Sequence, residues 1–359
     1  MRTLPVRDWL DAPGPVRAGE ELDAEKLAAF LREALPGPEA PVEIAQFPSG
    51  YSNLTYLVRR GDAEYILRRP PVGSKVKAAH DMAREYRVLT ALHPIYPTAP
   101  KPLAFCDDPG VIGAQFYLME RLHGVILRGK RPADFAMPPE TVRACCESFI
   151  RHLAELHALD YAAAGLADLR REGSFVERNV TGWLDRYRGS ETDEIPAMNE
   201  TAAWLRAHCP PDSGSVLIHN DFKFDNLVLD PNDLTRIIGV LDWEMCSIGD
   251  PLMDLGVAFS YWMESKDPDI GMVPCFLTRE PGAMTRLELA ERYATHTGRR
   301  IDNLVFYFAF GLFKLAVIAQ QIYYRFKQGL THDPRFAALI MAVAALAMRA
   351  TDAIATGEI

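Results

Sequence analysis

The stretch that most restricts the fold is "VLIHNDFKFDNLVLD", residues 216 to 230. Val216, Leu217 and Ile218 read as one short buried strand, and Leu227, Val228 and Leu229 as another. Between them stand His219, Asp221, Lys223, Asp225 and Asn226, a polar cluster too dense for a plain strand connection. Such a loop needs a scaffold on both sides that holds it in place. Read alone, its Asp and Asn side chains suit ordinary turn capping. A further apolar run, "RIIGVLDWE", ends in Asp242, sixteen positions beyond Asn226. The full set suggests a shared chemical task.

Residue types at this spacing are what phosphoryl transfer needs. One carboxylate must orient a hydroxyl and take its proton, while an amide oxygen and a second carboxylate hold Mg²⁺ against nucleotide phosphates. The spacing assigns the first role to Asp221 and the metal to Asn226 and Asp242. Lys223, two residues past the base, is placed to offset charge on the moving phosphoryl group. "HNDFKFDN" fits the pattern H-x-D-x-K-x-x-N of a kinase catalytic loop. With "LDWE" downstream, the chain resembles the aminoglycoside phosphotransferase and choline kinase group of small-molecule kinases. Within that group it resembles the kinase-like domain fused to some eukaryotic acyl-CoA dehydrogenases and its stand-alone bacterial relatives. The resemblance runs from about Val42 to about Arg325. It implies an α+β, bilobal protein-kinase-like fold, with a small antiparallel-sheet N-lobe and a larger, mostly helical C-lobe.

The local patterns agree with that division. An amphipathic helix over Glu21–Leu35 precedes strand-like text in "VEIAQFPSG", "YSNLTYLVRR" and "AEYILRRP". The dipeptide "GD" joins the last two as an antiparallel hairpin. "KAAHDMAREYRVLTAL" has helical spacing, and "PLAFCDD" and "QFYLMERL" return to strand character. From Met137 helices dominate. The expected organisation is an extension with one helix over 1–40, a nucleotide-binding N-lobe over 41–122, and a helical C-lobe over 123–359 that carries the catalytic loop and acceptor site.

In "FPSGYSNLTY" the resemblance implies a hairpin over the phosphates. Gly50 allows a tight turn, and Ser52, Asn53 and Thr55 offer donors, although the same residues suit an ordinary hairpin. Period-two alternation puts Ile66 and Arg68 on one strand face; the resemblance then implies that Ile66 faces adenine and that Arg68 stands where a kinase has its lysine. Arg keeps the charge with a different, forked geometry. Arg69 then faces the other way and reads as a solvated charge. Glu85 points inward from its helix and is the expected partner of Arg68. By position, backbone groups at Glu120 and Leu122 would meet the adenine edge. The resemblance makes His219 a structural residue under the loop, and Asp250 and Asp254 supports, with Asp254 capping a helix or bracing the loop.

The chain has 359 residues and a formal net charge of -9, which argues against a partner held by phosphate contacts such as nucleic acid. Six cysteines show no paired spacing and read as reduced thiols of a cytoplasmic protein. No secretory h-region opens the sequence, and the late apolar runs "LVFYFAFGLFKLAVIAQ" and "FAALIMAVAALAM" read as buried core helices rather than membrane spans. His152 and His157, five apart, are wrongly spaced for zinc on one helical face.

The expected partners are therefore ATP, Mg²⁺ and a small molecule with a hydroxyl group. Between Tyr261 and Gly282 acidic Glu264, Asp267, Asp269 and Glu280 are mixed with Lys266 and Arg279, and the apolar helix over 304–325 carries Lys314 and Arg325. That suits an apolar or anionic acceptor, such as a hydroxyacyl compound, better than a polycation; an aminoglycoside or amino alcohol is the alternative. Lys314 also suits a core lysine that snorkels. A catalytically weak kinase-like module that binds nucleotide or a partner is the competing class, and Arg68 gives it footing.

Overall fold

The computed structural model describes residues 10, 12–48, 53–71, 81–128, 137–268, 276–331 and 333–359. In chain order the first elements are α1 (Ala24–Ala34), β1 (Val42–Gln46), β2 (Leu54–Arg60), β3 (Ala63–Arg69), α2 (Met82–Leu92), β4 (Pro102–Cys106), α3 (Pro109–Ile112) and β5 (Phe116–Glu120). Next come α4 (Pro139–His157), α5 (Phe175–Ser190), α6 (Pro196–Ala207), β6 (Val216–Ile218), β7 (Leu227–Asp230), β8 (Asp233–Val240) and β9 (Ser247–Gly249). Four helices close the chain: α7 (Pro251–Ser260), α8 (Arg286–Thr297), α9 (Leu304–Lys327) and α10 (Leu339–Thr356).

These elements form two compact units. The first comprises Met1–Ile126, Ala164–Leu166 and Asn226–Met245. Its five-stranded antiparallel sheet has the order β1-β2-β3-β5-β4. Gly61, at φ 60, opens the two-residue turn between β2 and β3, where Arg60 pairs with Ala63. Alternation sorts the strands into two faces. Tyr56, Val58, Tyr65, Leu67, Phe116 and Leu118 pack with Leu27 and Leu31 of α1 and with Ile112 of α3 in one core. Helix α1 starts at Ala24, not Glu21, because the Asp23 side chain accepts the Lys26 N–H and caps it there. On the other face Thr55 pairs with Arg68, Leu57 with Ile66, and Tyr117 with Arg68. Helix α2, capped by Asp81, buries Met82, Glu85, Val88, Leu89 and Leu92, a spacing of three and four. The β7–β8 hairpin belongs to this unit, and Val240 N–H donates to the Thr98 carbonyl.

The second unit comprises Leu127–Ala163, Ala167–Asp225 and Cys246–Ile359, and its core is helical. Helix α9 is buried from Phe306 through Val317. It crosses α7 at glycines: a Cβ on Gly256 would strike the Tyr307 carbonyl, and one on Gly311 the Gly256 carbonyl. The two flanks of the polar stretch do become strands, but they do not pair with each other. β6 pairs with β9, Val216 opposite Gly249, and β7 pairs with β8.

Helix α9 and the stretch Pro334–Thr356 are each long and apolar enough to cross a membrane by length and composition. The α9 window is 78% buried inside the protein. The other is only 33% buried: α10 packs Ala342, Val343, Leu346, Ala347 and Ala350 inward and exposes Met341 and Met348. This differs from the buried core helix expected there, since only one face of α10 is covered. Alanine-rich composition raises the hydropathy of a helix all round, whereas packing needs only one face.

Candidate active site

In the second unit, residues 221 to 225 alternate between polar side chains and buried aromatic anchors. Phe222 and Phe224 are buried and their rings lie 4.9 and 5.0 Å from that of Phe149; Phe224 also meets Trp262 at 5.7 Å. These anchors fix Lys223 between them and Asp221 and Asp225 on either side. Lys223 Nζ donates to both Asp221 carboxylate oxygens, at 3.0 and 2.8 Å, and sits 4.6 Å from the Tyr261 ring centre. Burial works against the Lys223 charge, but Tyr261, Asp221 and Asp225 outweigh it and hold the ammonium well above its usual range. Burial, then the nearby Asp221 charge, pushes the Tyr261 phenol up, and its hydroxyl hydrogen-bonds to Asp221. Burial also raises the Asp225 carboxyl, against the pull of Lys223 and Arg128.

Asn220, just before Asp221, has a left-handed φ of 66°. Such a conformation costs a non-glycine residue about 1–3 kcal/mol and persists only where its surroundings impose it. Asp254 imposes it here. Its Oδ1 accepts the Asn220 N–H and its Oδ2 the His219 N–H, both at 2.7 Å. His157 Nε2 lies 3.1 Å from the same Oδ2, and His157 Nδ1 is 2.6 Å from the Tyr293 hydroxyl. Burial alone would raise the Asp254 carboxyl; His157 and the backbone donors outweigh it and hold it below the usual carboxylate range. His219 is fully buried and its Nδ1 accepts the Asp221 N–H at 3.3 Å, a structural placement. Asp250, not Asp254, caps α7, accepting from Leu252 N at 2.8 Å and Met253 N at 3.1 Å.

The first unit gathers the other sequence-predicted residues. Arg68 donates to Glu85 Oε1 at 2.8 Å and to Asp242 Oδ1 at 3.0 Å, and approaches Glu244 at 3.9 Å. Glu85 is 1% exposed; burial pushes its carboxyl up, against the Arg68 charge. Arg69 is not the solvated charge that alternation suggests. It is buried and donates to the Ile112 carbonyl at 2.9 Å, because its face of β3 is the one covered by α1 and α3. Asn53 donates to Glu244 Oε2 at 2.7 Å, and Thr55 lies opposite Arg68. Gly50 and Ser52 lie outside the described residues. Ile66 is buried between Leu57 and Met119. The Glu120 N–H is committed to the Lys101 carbonyl, and the Leu122 side chain packs against Gly239.

Asn226 accepts the Leu241 N–H on its backbone carbonyl at 2.8 Å, which ties it beside Asp242. Asp242 itself is left-handed, φ 70. Amide and carboxylate oxygens are hard donors suited to Mg²⁺, which takes one or two carboxylates and fills its shell with water and phosphate. Among the described residues no group of three or more His, Cys, Asp or Glu is placed to hold a metal ion. Sequence reading missed Glu244, Tyr261 and the His157 brace. Glu244 stands in the quoted "LDWE" and was open to notice; Tyr261 and His157 come from distant helix ends and carry no local signal.

Residues 43–274 match the phosphotransferase enzyme family. Acyl-CoA dehydrogenase family member 11 of Rattus norvegicus is 35% identical over 320 residues, covering 86% of this chain and 40% of that protein. Member 10 of Mus musculus is 33% identical over 314 residues, 87% of this chain and 29% of its own length. The chain thus spans well under half of these curated relatives. A solved "putative aminoglycoside phosphotransferase" of Ralstonia eutropha superposes with a TM-score of 0.76 at 30% identity, covering 92% of this chain and 99% of that one. Choline kinase of Cryptosporidium parvum shares the fold alone, with a TM-score of 0.64 at 15% identity over 93% of this chain and 97% of its own. With a kinase-type loop, a strand arginine bound to a helix glutamate, and a family match over most of its length, this chain belongs to the phosphotransferase enzyme family.

Proposed function

We propose that the protein is an ATP- and Mg²⁺-dependent kinase of a small molecule, with a hydroxyacyl compound as acceptor. The observation that carries the reading is the Asp221 carboxylate, gripped by Lys223 and Tyr261 on a loop that Asp254 forces into shape. A hydroxyl is a poor nucleophile until it is aligned and deprotonated. Asp221 orients the acceptor hydroxyl and receives its proton as the oxygen attacks the γ-phosphorus and ADP leaves. Asn226 and Asp242 would hold Mg²⁺, which supplies charge neutralisation at the phosphates. Arg68, oriented by Glu85, is the cation for phosphate binding.

The acceptor class rests on charge. Of the acidic residues a polycation would seek between Tyr261 and Gly282, Glu264 and Asp267 are spent on Arg286, at 3.4 and 2.6 Å. Asp269 lies outside the described residues. That the relatives are named acyl-CoA dehydrogenase family members adds support for an acyl substrate. The test is an ADP-release screen of hydroxyacyl-CoAs, free hydroxy acids, amino alcohols and aminoglycosides, with Asp221→Asn as control. Mg²⁺-dependent release with hydroxyacyl compounds is expected, reduced about 10²–10⁴-fold in the variant. Turnover confined to aminoglycosides would overturn the acceptor class. Transfer by Asp221→Asn at the parent rate would overturn the mechanism.

A further inference from the structure

Lys314 sits midway along α9 and is 3% exposed. A methionine would fill the same space with no charge to desolvate, so packing alone does not explain a lysine. Its Nζ donates to the Asn220 carbonyl at 2.7 Å and lies 5.6 Å from the Trp183 ring centre. That carbonyl belongs to the peptide bond whose nitrogen is Asp221's own. The N–H of Asn220 is already held by Asp254. One peptide unit is therefore clamped by an anion and the next by a cation, and Asp221 follows directly.

We propose that Lys314 is a positioning residue for Asp221: by holding the carbonyl of left-handed Asn220 it fixes the peptide plane from which the Asp221 carboxylate is presented. This rests on the reading of Asp221 as the base. The charged groups around Lys314 are Asp221 and Lys223 of the loop, Asp254 of α7 and Arg186 of α5. Burial, helped by the two cations and opposed by the two carboxylates, brings the Lys314 ammonium down to about 8. The charge-assisted hold on Asn220 thus weakens as pH rises through that value, which a purely structural lysine would not report in turnover.

The probe is the intrinsic hydrolysis of Mg-ATP, with water as acceptor, followed against pH and beside titration of ¹³Cε-labelled lysine. Lys314→Met should lower kcat about ten-fold or more, with the KM for ATP within about two-fold. The parent should lose turnover on the alkaline side near pH 8, and the variant should lack that limb. Lys314→Arg, which stays protonated, should keep turnover within about three-fold and also lack the limb; it serves if the methionine variant folds poorly. The Lys314 titration should move lower in Asp221→Asn, because a neighbouring anion is gone. If Asp221→Asn cuts turnover while Lys314→Met does not, the positioning role is wrong and the base stands. If neither variant affects turnover, the reading of Asp221 fails and this one with it. A Lys314 titration unmoved by Asp221→Asn also overturns the proposal.

Discussion

Arg68 and Arg69 are adjacent, equally charged and both buried, yet they serve different ends. Arg68 ties β3 to α2 through Glu85 and meets Asp242. Arg69 closes the end of α3 through the Ile112 carbonyl. Truncating Arg68 strands a buried Glu85, so Arg68→Ala should destabilise by about 3–5 kcal/mol and should also shrink the stabilisation conferred by Mg-ATP. Arg69→Ala leaves a carbonyl unsatisfied, at about 1–3 kcal/mol, and should keep the full Mg-ATP effect. Urea titrations with and without nucleotide distinguish the two; equal loss of the nucleotide effect would show the strand-face assignment to be wrong. Alternation alone identified which arginine faces Glu85. It could not show that the opposite face is covered, because α1 and α3 come from elsewhere in the chain.

Among elements, the strands and helices were readable because their periods are written locally. The "GD" turn, the two-residue alternation of β2 and β3, and the three-and-four spacing of α2 all appear where expected. The pairing of β6 with β9 was not readable: both are three residues long and Leu217 meets Ile248 across an interval of thirty-one positions. Nor does a helical pattern reveal how closely two helices approach. Gly256 and Gly311 let α7 and α9 touch backbone to backbone, and α7 carries Asp254 to the loop. Gly256→Ala should therefore push α7 away and cost about 1–3 kcal/mol or more, with a drop in turnover beyond the loss of folded protein. A thermal melt at parental temperature, with full activity, would refute that close contact.

For the whole molecule, Mg-ATP should stabilise folding by mass action, about 2.7 kcal/mol at a concentration one hundred times its Kd. The melting temperature should rise by a few degrees, and the rise should vanish with EDTA and shrink in Asp242→Ala, whose carboxylate is proposed for the metal. No shift at millimolar Mg-ATP would count against the kinase reading as a whole.

The sequence by itself picked out the residues proposed for the chemistry: Asp221, Lys223, Asn226 and Asp242 are named by spacing, since they lie on one short loop and the strand end after it. Much of the secondary structure was legible as well, because its periods depend on neighbours a few positions away, but α3, α8 and β9 were not. Tertiary structure decided which groups support that chemistry. Asp254 became the brace and Asp250 the cap because the loop's N–H groups point at the side chain within the first turn of α7, not at its N-cap. Tyr261, His157 and Lys314 joined the loop because three helices converge on it. Those contacts join residues up to ninety-seven positions apart. A residue's type records what it can bond, but only packing brings distant partners within the reach of a hydrogen bond.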